Sequence, residues 1–204
     1  MGWIGLDDTD GLSGGCTTDV MRRIITSLID VADEQKWQVS ETPSLVRLWP
    51  FAHRRTRGNA AVSCEVLCHS EESEKALLAH LDKMWSSIVL PEVLANGSAA
   101  VSEHSERNQS DASPAMIWSQ VRPDPDWYWK CVRGEVVIGD CEDVLPSTSR
   151  VWKSAGGHGI IGALAAISWL GDHDHTWEVT CYRKEQNIAT VRTIPESRCA
   201  RLDE

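Results

Sequence analysis

The chain has 204 residues, with 30 Asp and Glu against 20 Lys and Arg and a formal net charge of -10 at pH 7. This length allows one large domain or two small ones. The acidic balance argues against a general nucleic-acid coat, because phosphate binding relies on a positive surface, so any such contact must be local. Seven cysteines without a Cys-x-x-Cys pair are typical of a reducing compartment.

No charged-then-apolar leader opens the chain, and no apolar run reaches the roughly 20 residues that a membrane helix requires. We therefore expect a soluble cytoplasmic protein that makes no membrane contact.

Strands and helices alternate along the sequence. The apolar periodicity predicts, in order, a strand at 2–6, a helix at 18–36, strands at 45–48 and 60–67, and a helix at 71–88 that begins after Ser70. Further along lie apolar stretches at 116–121 and 127–138, a small-residue helix at 159–170 and a strand at 176–182.

A polar segment at 95–113 has the composition of a linker or a long surface loop. It divides the chain into a first domain at 1–112 and a second at 113–204. We expect an α+β fold class built from two small alpha/beta sandwich domains.

Three carboxylates, those of Asp7, Asp8 and Asp10, follow the first strand directly. Carboxylates at this position stay ionised and repel one another unless solvent or a cation intervenes. Magnesium takes hard oxygen ligands from one or two carboxylates and completes its octahedron with water and phosphate oxygens. Asp8 and Asp10 are the candidate magnesium ligands, and Asp7 is either a third ligand or a supporting group.

A glycine turn at Gly14 and Gly15 leads into the first helix, which Thr17 or Thr18 can cap. Backbone amides at a helix start attract phosphate, so the whole run predicts a metal-phosphate site. Asp-Thr-Asp-Gly is also an ordinary turn sequence. A third interpretation is a haloacid dehalogenase type of phosphatase with a nucleophilic aspartate, although Leu12 occupies the place of its hydroxyl residue.

Four arginines gather within residues 45–59 of this acidic protein: Arg47, Arg54, Arg55 and Arg57. Guanidinium groups bind phosphate bidentately, and the neighbouring aromatic rings of Trp49, Phe51 and His53 offer faces on which a base can stack. The segment is interpreted as a phosphate contact, of a nucleotide or of an RNA strand, against the alternative of a solvated charge run.

Residues 157–162 match the dinucleotide pattern Gly-x-Gly-x-x-Gly, but too little chain follows for a doubly wound fold. The alternative is a glycine loop that leads into a helix packed closely on a sheet. His173 and His175 are interpreted as solvent-facing residues of a polar turn.

Taken together, these motifs resemble the archaeal tRNA-isoleucine agmatinylcytidine synthetases. The matching runs lie at 4–10, 14–18, 45–50 with 56–59, and 159–167, followed by Cys181-Tyr182-Arg183. The resemblance implies an ATP-binding kinase-like first domain and a ferredoxin-like second domain. In this family an oligonucleotide-binding barrel and a zinc ribbon follow.

The resemblance also implies an activity. ATP would phosphorylate the C2 carbonyl oxygen of the wobble cytidine of a tRNA, and the amine of agmatine would then displace phosphate. ATP and magnesium are the implied cofactors, and tRNA and agmatine are the implied partners. The implied catalytic residues are Asp7, Asp8, Asp10, Thr17 and Thr18, one threonine of which carries phosphate during the cycle. The implied ATP and phosphate contacts are Gly14, Gly15, Arg47, Arg57, Gly58 and Asn59, and the implied RNA contacts are Arg54 and Arg55.

The barrel and the zinc ribbon of that family have no counterpart in these 204 residues. We expect a fragment, one half of a split enzyme whose missing RNA-binding domains come from a separate chain, or a relative with another substrate. The alternatives to the synthetase are a noncatalytic RNA-associated module and a magnesium-dependent phosphohydrolase.

Overall fold

A computed structural model describes residues 1–11, 14–55, 58–96, 112–171 and 176. Four features of the sequence lie wholly or largely outside these ranges: Arg57, the two histidines at 173 and 175, the predicted strand at 176–182, and most of the polar segment. Within the described residues, no helix is long and apolar enough to cross a membrane.

The elements before the polar segment are β1 (Gly2–Asp7), α1 (Thr17–Ile29), α2 (Ala32–Gln35), β2 (Trp37–Val39), β3 (Ser44–Arg47), β4 (Ala60–Cys68), α3 (Glu71–Met84) and α4 (Leu90–Asn96). A π-helical turn at Trp85–Val89 joins α3 to α4. The later elements are β5 (Ala115–Ser119), α5 (Pro125–Arg133), a 3-10 turn at Ile138–Cys141, β6 (Arg150–Lys153) and α6 (Ile160–Ser168).

The six strands of the described residues form one antiparallel sheet in the order β2-β4-β1-β5-β6, and β3 also pairs with β4. Because side chains alternate along a strand, Ile4 and Leu6 of β1 face a core shared with α1 and α3. Trp3 faces the opposite side of the sheet. There it packs, with Val46, Ala61, Ala115 and Ile117 of the other strands, in a second core shared with α5 and α6. Helices therefore cover both faces of the sheet, which confirms the α+β class.

The predicted domain boundary near residue 112 does not divide the sheet. Trp3–Asp7 of β1 pair with Ala115–Ser119 of β5, so strands from both sides of the polar segment are hydrogen-bonded neighbours. The chain instead separates into a unit of Met1–Gly171 and a unit of Asp172–Glu204. Residues on both sides of the polar segment therefore belong to one sheet.

The ends of the helices refine the sequence-based interpretation. The first helix ends at Ile29, and its N-cap residue is Cys16, without a side-chain hydrogen bond, so neither threonine caps it. Ser70 does cap α3, because its hydroxyl oxygen accepts a hydrogen bond from the Ser73 N–H at 3.1 Å. The acidic first turn of α3 then lies at the positive end of the helix dipole.

Helix α6 packs directly on β1, and glycine makes this approach possible. A Cβ atom placed on Gly5 would lie 2.4 Å from the carbonyl oxygen of Ala163. The hydroxyl of Ser63 on β4 donates a hydrogen bond to the Ala166 carbonyl of the same helix at 3.0 Å. The close approach at Gly5 therefore places α6 against β1, at whose end the site described below begins.

Gly5→Ala is expected to lower the free energy of unfolding by about 1–3 kcal/mol, because the clash is with backbone that cannot rotate away. The midpoint of urea unfolding measures this effect. Gly139→Ala is the matched control, since nothing lies within 4 Å of a Cβ at that position. Equal midpoints for the two variants would contradict close packing of α6 on β1.

Candidate functional site

The acidic run begins at the end of β1. Asp7 is the last residue of the strand, and Asp8 turns the chain with a φ of 59°. Aspartate tolerates this left-handed conformation better than most residues do. A Cβ on Gly162 of α6 would lie only 2.0 Å from Oδ2 of Asp7, so the missing side chain of this glycine leaves space for the carboxylate.

Two of these carboxyl groups have raised pKa values. Burial raises the pKa of Asp7 well above its ordinary 3.8, and the charges of Asp8 and Asp10 raise it further. Burial also raises the pKa of Asp8 to about 7, against the opposing effects of the Arg54 charge and the Ser113 N–H. The folded protein therefore holds acidic groups whose charged forms are costly unless a cation compensates them.

Asp10 is fixed by hydroxyl groups behind it. Thr17 donates from Oγ1 to Oδ1 of Asp10 at 3.2 Å, and the hydroxyl of Thr9 lies 3.2 Å from the same Thr17 oxygen. Both threonines are buried. Thr18 is partly exposed and its hydroxyl lies 3.0 Å from Sγ of Cys16. Thr17 thus supports Asp10, whereas the hydroxyl of Thr18 contacts Cys16.

The glycine turn lies beside the carboxylates. Gly11 and Gly14 exchange two backbone hydrogen bonds, and Gly15 adopts a φ of 81° that glycine favours. A Cβ on Gly15 would lie 3.0 Å from Cα of Asp10. The turn therefore packs tightly against the acidic run.

A cavity of about 230 Å³ opens beside the acidic run. Asp7, Asp8 and Asp10 form one wall of it. Seven residues of the arginine-rich segment at 45–59 form another: Leu48, Trp49, Ala52, Arg54, Arg55, Gly58 and Asn59. The structure thus brings together carboxylates and guanidinium groups that are more than 40 residues apart in the sequence.

Five other predicted site residues within the described part of the chain do not line this cavity. The walls exclude Gly14, Gly15, Thr17, Thr18 and Arg47, while Arg57 lies outside the described residues. Arg47 is exposed on the edge strand β3. Asn59 does reach the wall, but its amide donates to the Trp49 carbonyl at 2.8 Å, which fixes the loop that follows β3.

Two walls were missed by sequence reasoning. One is formed by residues 134–138 together with Cys131 of α5, and it is largely apolar apart from Glu135. The backbone N–H of Trp49 donates to the Cys131 carbonyl at 2.9 Å, which joins the arginine-rich loop to α5. No local pattern marks this wall, because only packing of α5 beside the loop creates it.

The remaining wall comes from the turn before α6 and from its first residues, including His158 and Gly162. Burial lowers the pKa of His158, and the charge of Arg54 lowers it further. His158 is therefore a neutral imidazole near pH 7. The glycine loop at 157–162 does lead into a packed helix, as the second interpretation of that motif expected.

The donor chemistry of the acidic wall fits magnesium. Asp8 and Asp10 offer hard oxygen ligands just after the C-terminal end of β1. A divalent cation would stabilise the ionised form of the Asp8 carboxylate, which burial disfavours. Among the described residues, no group of three or more His, Cys, Asp or Glu side chains could hold a metal ion. A cation here would thus take its other ligands from water or from a bound phosphate.

The chain matches two known protein-family models over nearly its whole length. Residues 3–154 match the family model described as the TiaS TCKD domain, and residues 157–204 match the TiaS FLD domain. The chain belongs to the TiaS family. This confirms the resemblance inferred from the sequence motifs.

Curated relatives in the TiaS family carry the name tRNA 2-agmatinylcytidine synthetase. The protein of Caldivirga maquilingensis is 31% identical over 188 residues, which is 88% of this chain and 38% of the relative. That of Acidilobus saccharovorans is 28% identical over 211 residues, covering 98% of this chain and 42% of the relative. The chain spans about two fifths of the length of these TiaS relatives.

Solved TiaS structures share the fold. A crystal structure of a TiaS-tRNA-ATP complex has a TM-score of 0.64 and 21% identity, and covers 99% of this chain and 44% of the solved chain. A TiaS-tRNA-AMPCPP-agmatine complex has a TM-score of 0.62 and 20% identity, with the same two coverages. At these identities the TiaS structures support the fold alone.

Proposed function

We propose that this chain carries the ATP-dependent cytidine-modifying centre of a tRNA 2-agmatinylcytidine synthetase. The observation that carries the proposal is a cavity lined by three carboxylates and two arginines, in a chain of the TiaS family. Such a pairing suits a magnesium-bound polyphosphate, whose oxygens need both a metal and guanidinium donors. The relatives bear the name of this activity.

In this proposal Asp8 and Asp10 hold magnesium. The bound ion would neutralise charge on the transferred phosphoryl group. Thr17 keeps the carboxylate of Asp10 in place through its hydrogen bond. Arg54 and Arg55, which line the same cavity, bind phosphate oxygens. Asp7 lies against Gly162 of α6. It is not a third ligand and acts through its two neighbours.

The reaction proposed for this centre has two steps. The C2 carbonyl oxygen of cytidine attacks the terminal phosphorus of ATP, and ADP leaves. The primary amine of agmatine then attacks C2, and phosphate leaves with the former carbonyl oxygen. Phosphorylation is needed because a carbonyl oxygen is a poor leaving group on its own.

The apolar wall at 134–138 offers contact to a base, and the cavity, at about 230 Å³, is slightly smaller than the roughly 300 Å³ of the smallest typical ligand sites. A nucleotide therefore fills it and extends beyond it. We propose that Gly14, Gly15 and Arg47 contact such extending groups, and that Arg57, Gly58 and Asn59 belong to the same surface.

If a threonine carries phosphate during the cycle, exposure favours Thr18 over Thr17. Thr17 is only 7% exposed and its hydroxyl is engaged with Asp10, whereas Thr18 is partly exposed. A phosphate acceptor must be reached by the donor, which a buried hydroxyl does not allow.

The test is to incubate the chain with ATP, magnesium, agmatine and a tRNA that has cytidine at the wobble position. Mass spectrometry of the nucleosides should show a cytidine that has gained agmatine and lost one water. A tRNA with uridine at that position is the control. Because the relatives are longer, the reaction is run with and without a TiaS fragment that supplies their remaining length.

Two other outcomes would replace the proposal. Hydrolysis of a generic phosphomonoester without ATP would favour the phosphohydrolase. Binding of tRNA without consumption of ATP, even with the added fragment, would favour the noncatalytic RNA-associated module.

A further inference from the structure

Ser113 is the last residue of the polar segment, two positions before β5, and it is only 1% exposed. Its backbone N–H donates to Oδ2 of Asp8 at 3.2 Å. Its hydroxyl donates to the Ala155 carbonyl at 2.6 Å and accepts from the His158 N–H at 2.9 Å. Its carbonyl accepts from the Gly159 N–H at 2.9 Å. Every polar group of this residue is therefore engaged.

These bonds join two different walls of the cavity. Asp8 belongs to the acidic wall, and His158 belongs to the wall formed by the turn before α6. The two residues are 150 positions apart in the sequence. Ser113 forms hydrogen bonds directly with the side chain of Asp8 and with the backbone N–H of His158. A shift of Ser113 would change the distance across the cavity.

The turn that carries His158 needs such support. Ala155, Gly156 and Gly157 adopt φ values of 50°, 91° and 65° in succession. The left-handed conformation costs roughly 1–2 kcal/mol at a residue with a side chain, such as Ala155. A strained backbone persists only where surrounding contacts hold it, and the Ser113 hydroxyl bonds both ends of this turn.

We propose that Ser113 is a positioning residue that fixes Asp8 and His158 in register across the nucleotide cavity. The inference rests on the proposed function, because it assigns a role within that site. In it, the imidazole of His158 contacts the bound substrate, and Ser113 contacts none of the reacting atoms.

Ser113→Ala removes the hydroxyl and keeps both backbone bonds. We expect kcat for ATP consumption, measured in the complete tRNA reaction, to fall about tenfold, because small misplacements of catalytic groups are costly, while KM for ATP changes less than about twofold. Ser63→Ala is the matched control, since Ser63 is also buried and donates its hydroxyl to a backbone carbonyl at 3.0 Å. It should lose similar stability and keep kcat within about twofold.

A double-mutant cycle with His158→Gln separates positioning from general stability. If Ser113 acts through His158, adding Ser113→Ala to His158→Gln should lower kcat by less than about twofold further. Independent effects, in which the two losses multiply, would overturn the proposal. An equal loss of kcat in Ser63→Ala would overturn it as well.

Amide hydrogen exchange gives a readout that does not depend on catalysis. In Ser113→Ala the His158 N–H should exchange at least about tenfold faster, because it loses its acceptor, while the Ala163 N–H inside α6 is unchanged. Unchanged exchange at His158 would overturn the positioning role. If the exchange responds but the wild-type chain never consumes ATP, the proposed function fails and the structural link stands.

Discussion

Asp8→Asn is expected to stop ATP consumption while it stabilises the metal-free protein above pH 7. Activity is lost because an amide carries no charge for a magnesium ion. The backbone should be unaffected, since asparagine also tolerates the φ of 59° at this position. The amide oxygen can still accept the hydrogen bond from Ser113 N–H.

The gain in stability follows from the raised pKa of Asp8. The unfolded chain releases this proton near pH 3.8, whereas the folded protein holds it up to about pH 7. The stability that the neutral carboxyl contributes is therefore complete below pH 3.8 and is lost as the pH rises through about 7. A rise of the Asp8 pKa from 3.8 to about 7 corresponds to about 4 kcal/mol of stability, and we expect Asn to recover about 1–3 kcal/mol of it.

Urea unfolding at pH 5 and pH 8, with a chelator present, measures this difference. The stability of Asp8→Asn minus that of the wild type should grow between the two pH values. Asp33→Asn, at an exposed carboxylate of α2, is the control and should change stability by less than about 0.5 kcal/mol at both. Retained ATP consumption in Asp8→Asn would refute its place in the site.

Gly162→Ala is expected to abolish ATP consumption and to destabilise the protein by about 1–3 kcal/mol. The new Cβ would lie 2.0 Å from Oδ2 of Asp7 and 3.1 Å from Cβ of Ala61. The Asp7 carboxylate must then move into the cavity, where it disturbs Asp8. Helix propensity alone would favour alanine by about 1 kcal/mol, so overpacking has to outweigh that gain.

The same substitution should cost much less when Asp7 is shortened. In an Asp7→Ala background the 2.0 Å contact is gone and only the 3.1 Å contact with Cβ of Ala61 remains. The helix propensity of alanine, about 1 kcal/mol, then offsets much of the remaining penalty. Thermal or urea unfolding of the four proteins of this cycle measures the coupling. An unchanged penalty in the shortened background would show that Asp7 does not occupy the space beside Gly162.

Much of the fold could be predicted because its signals are local. The apolar periodicity placed β1, β4, α3 and the start of α6 within a few residues of their observed ends. The short strand β2 was missed, since three residues carry no periodicity. The order of the strands was also inaccessible, because the pairing of β1 with β5 joins segments more than 100 residues apart.

The site was predictable to a similar extent. Carboxylates that directly follow a buried strand cannot enter the core, so Asp7, Asp8 and Asp10 could be singled out from order alone. The apolar wall at 134–138 and the bonds of Ser113 depend on which segments pack together, and the sequence holds no motif for them. The roles of Thr17, Thr18 and the arginines stay predictions.

The packing of α6 on β1 limits where proteins of this family can be truncated. The helix lies within the range matched by the second family model, yet it covers a face of β1, which lies in the first. A polypeptide cut at residue 154 would bare Ile117 and its neighbours to water and lose Gly162 beside Asp7. Truncation mutants should therefore extend through Gly171, since a shorter piece would aggregate before it could be assayed.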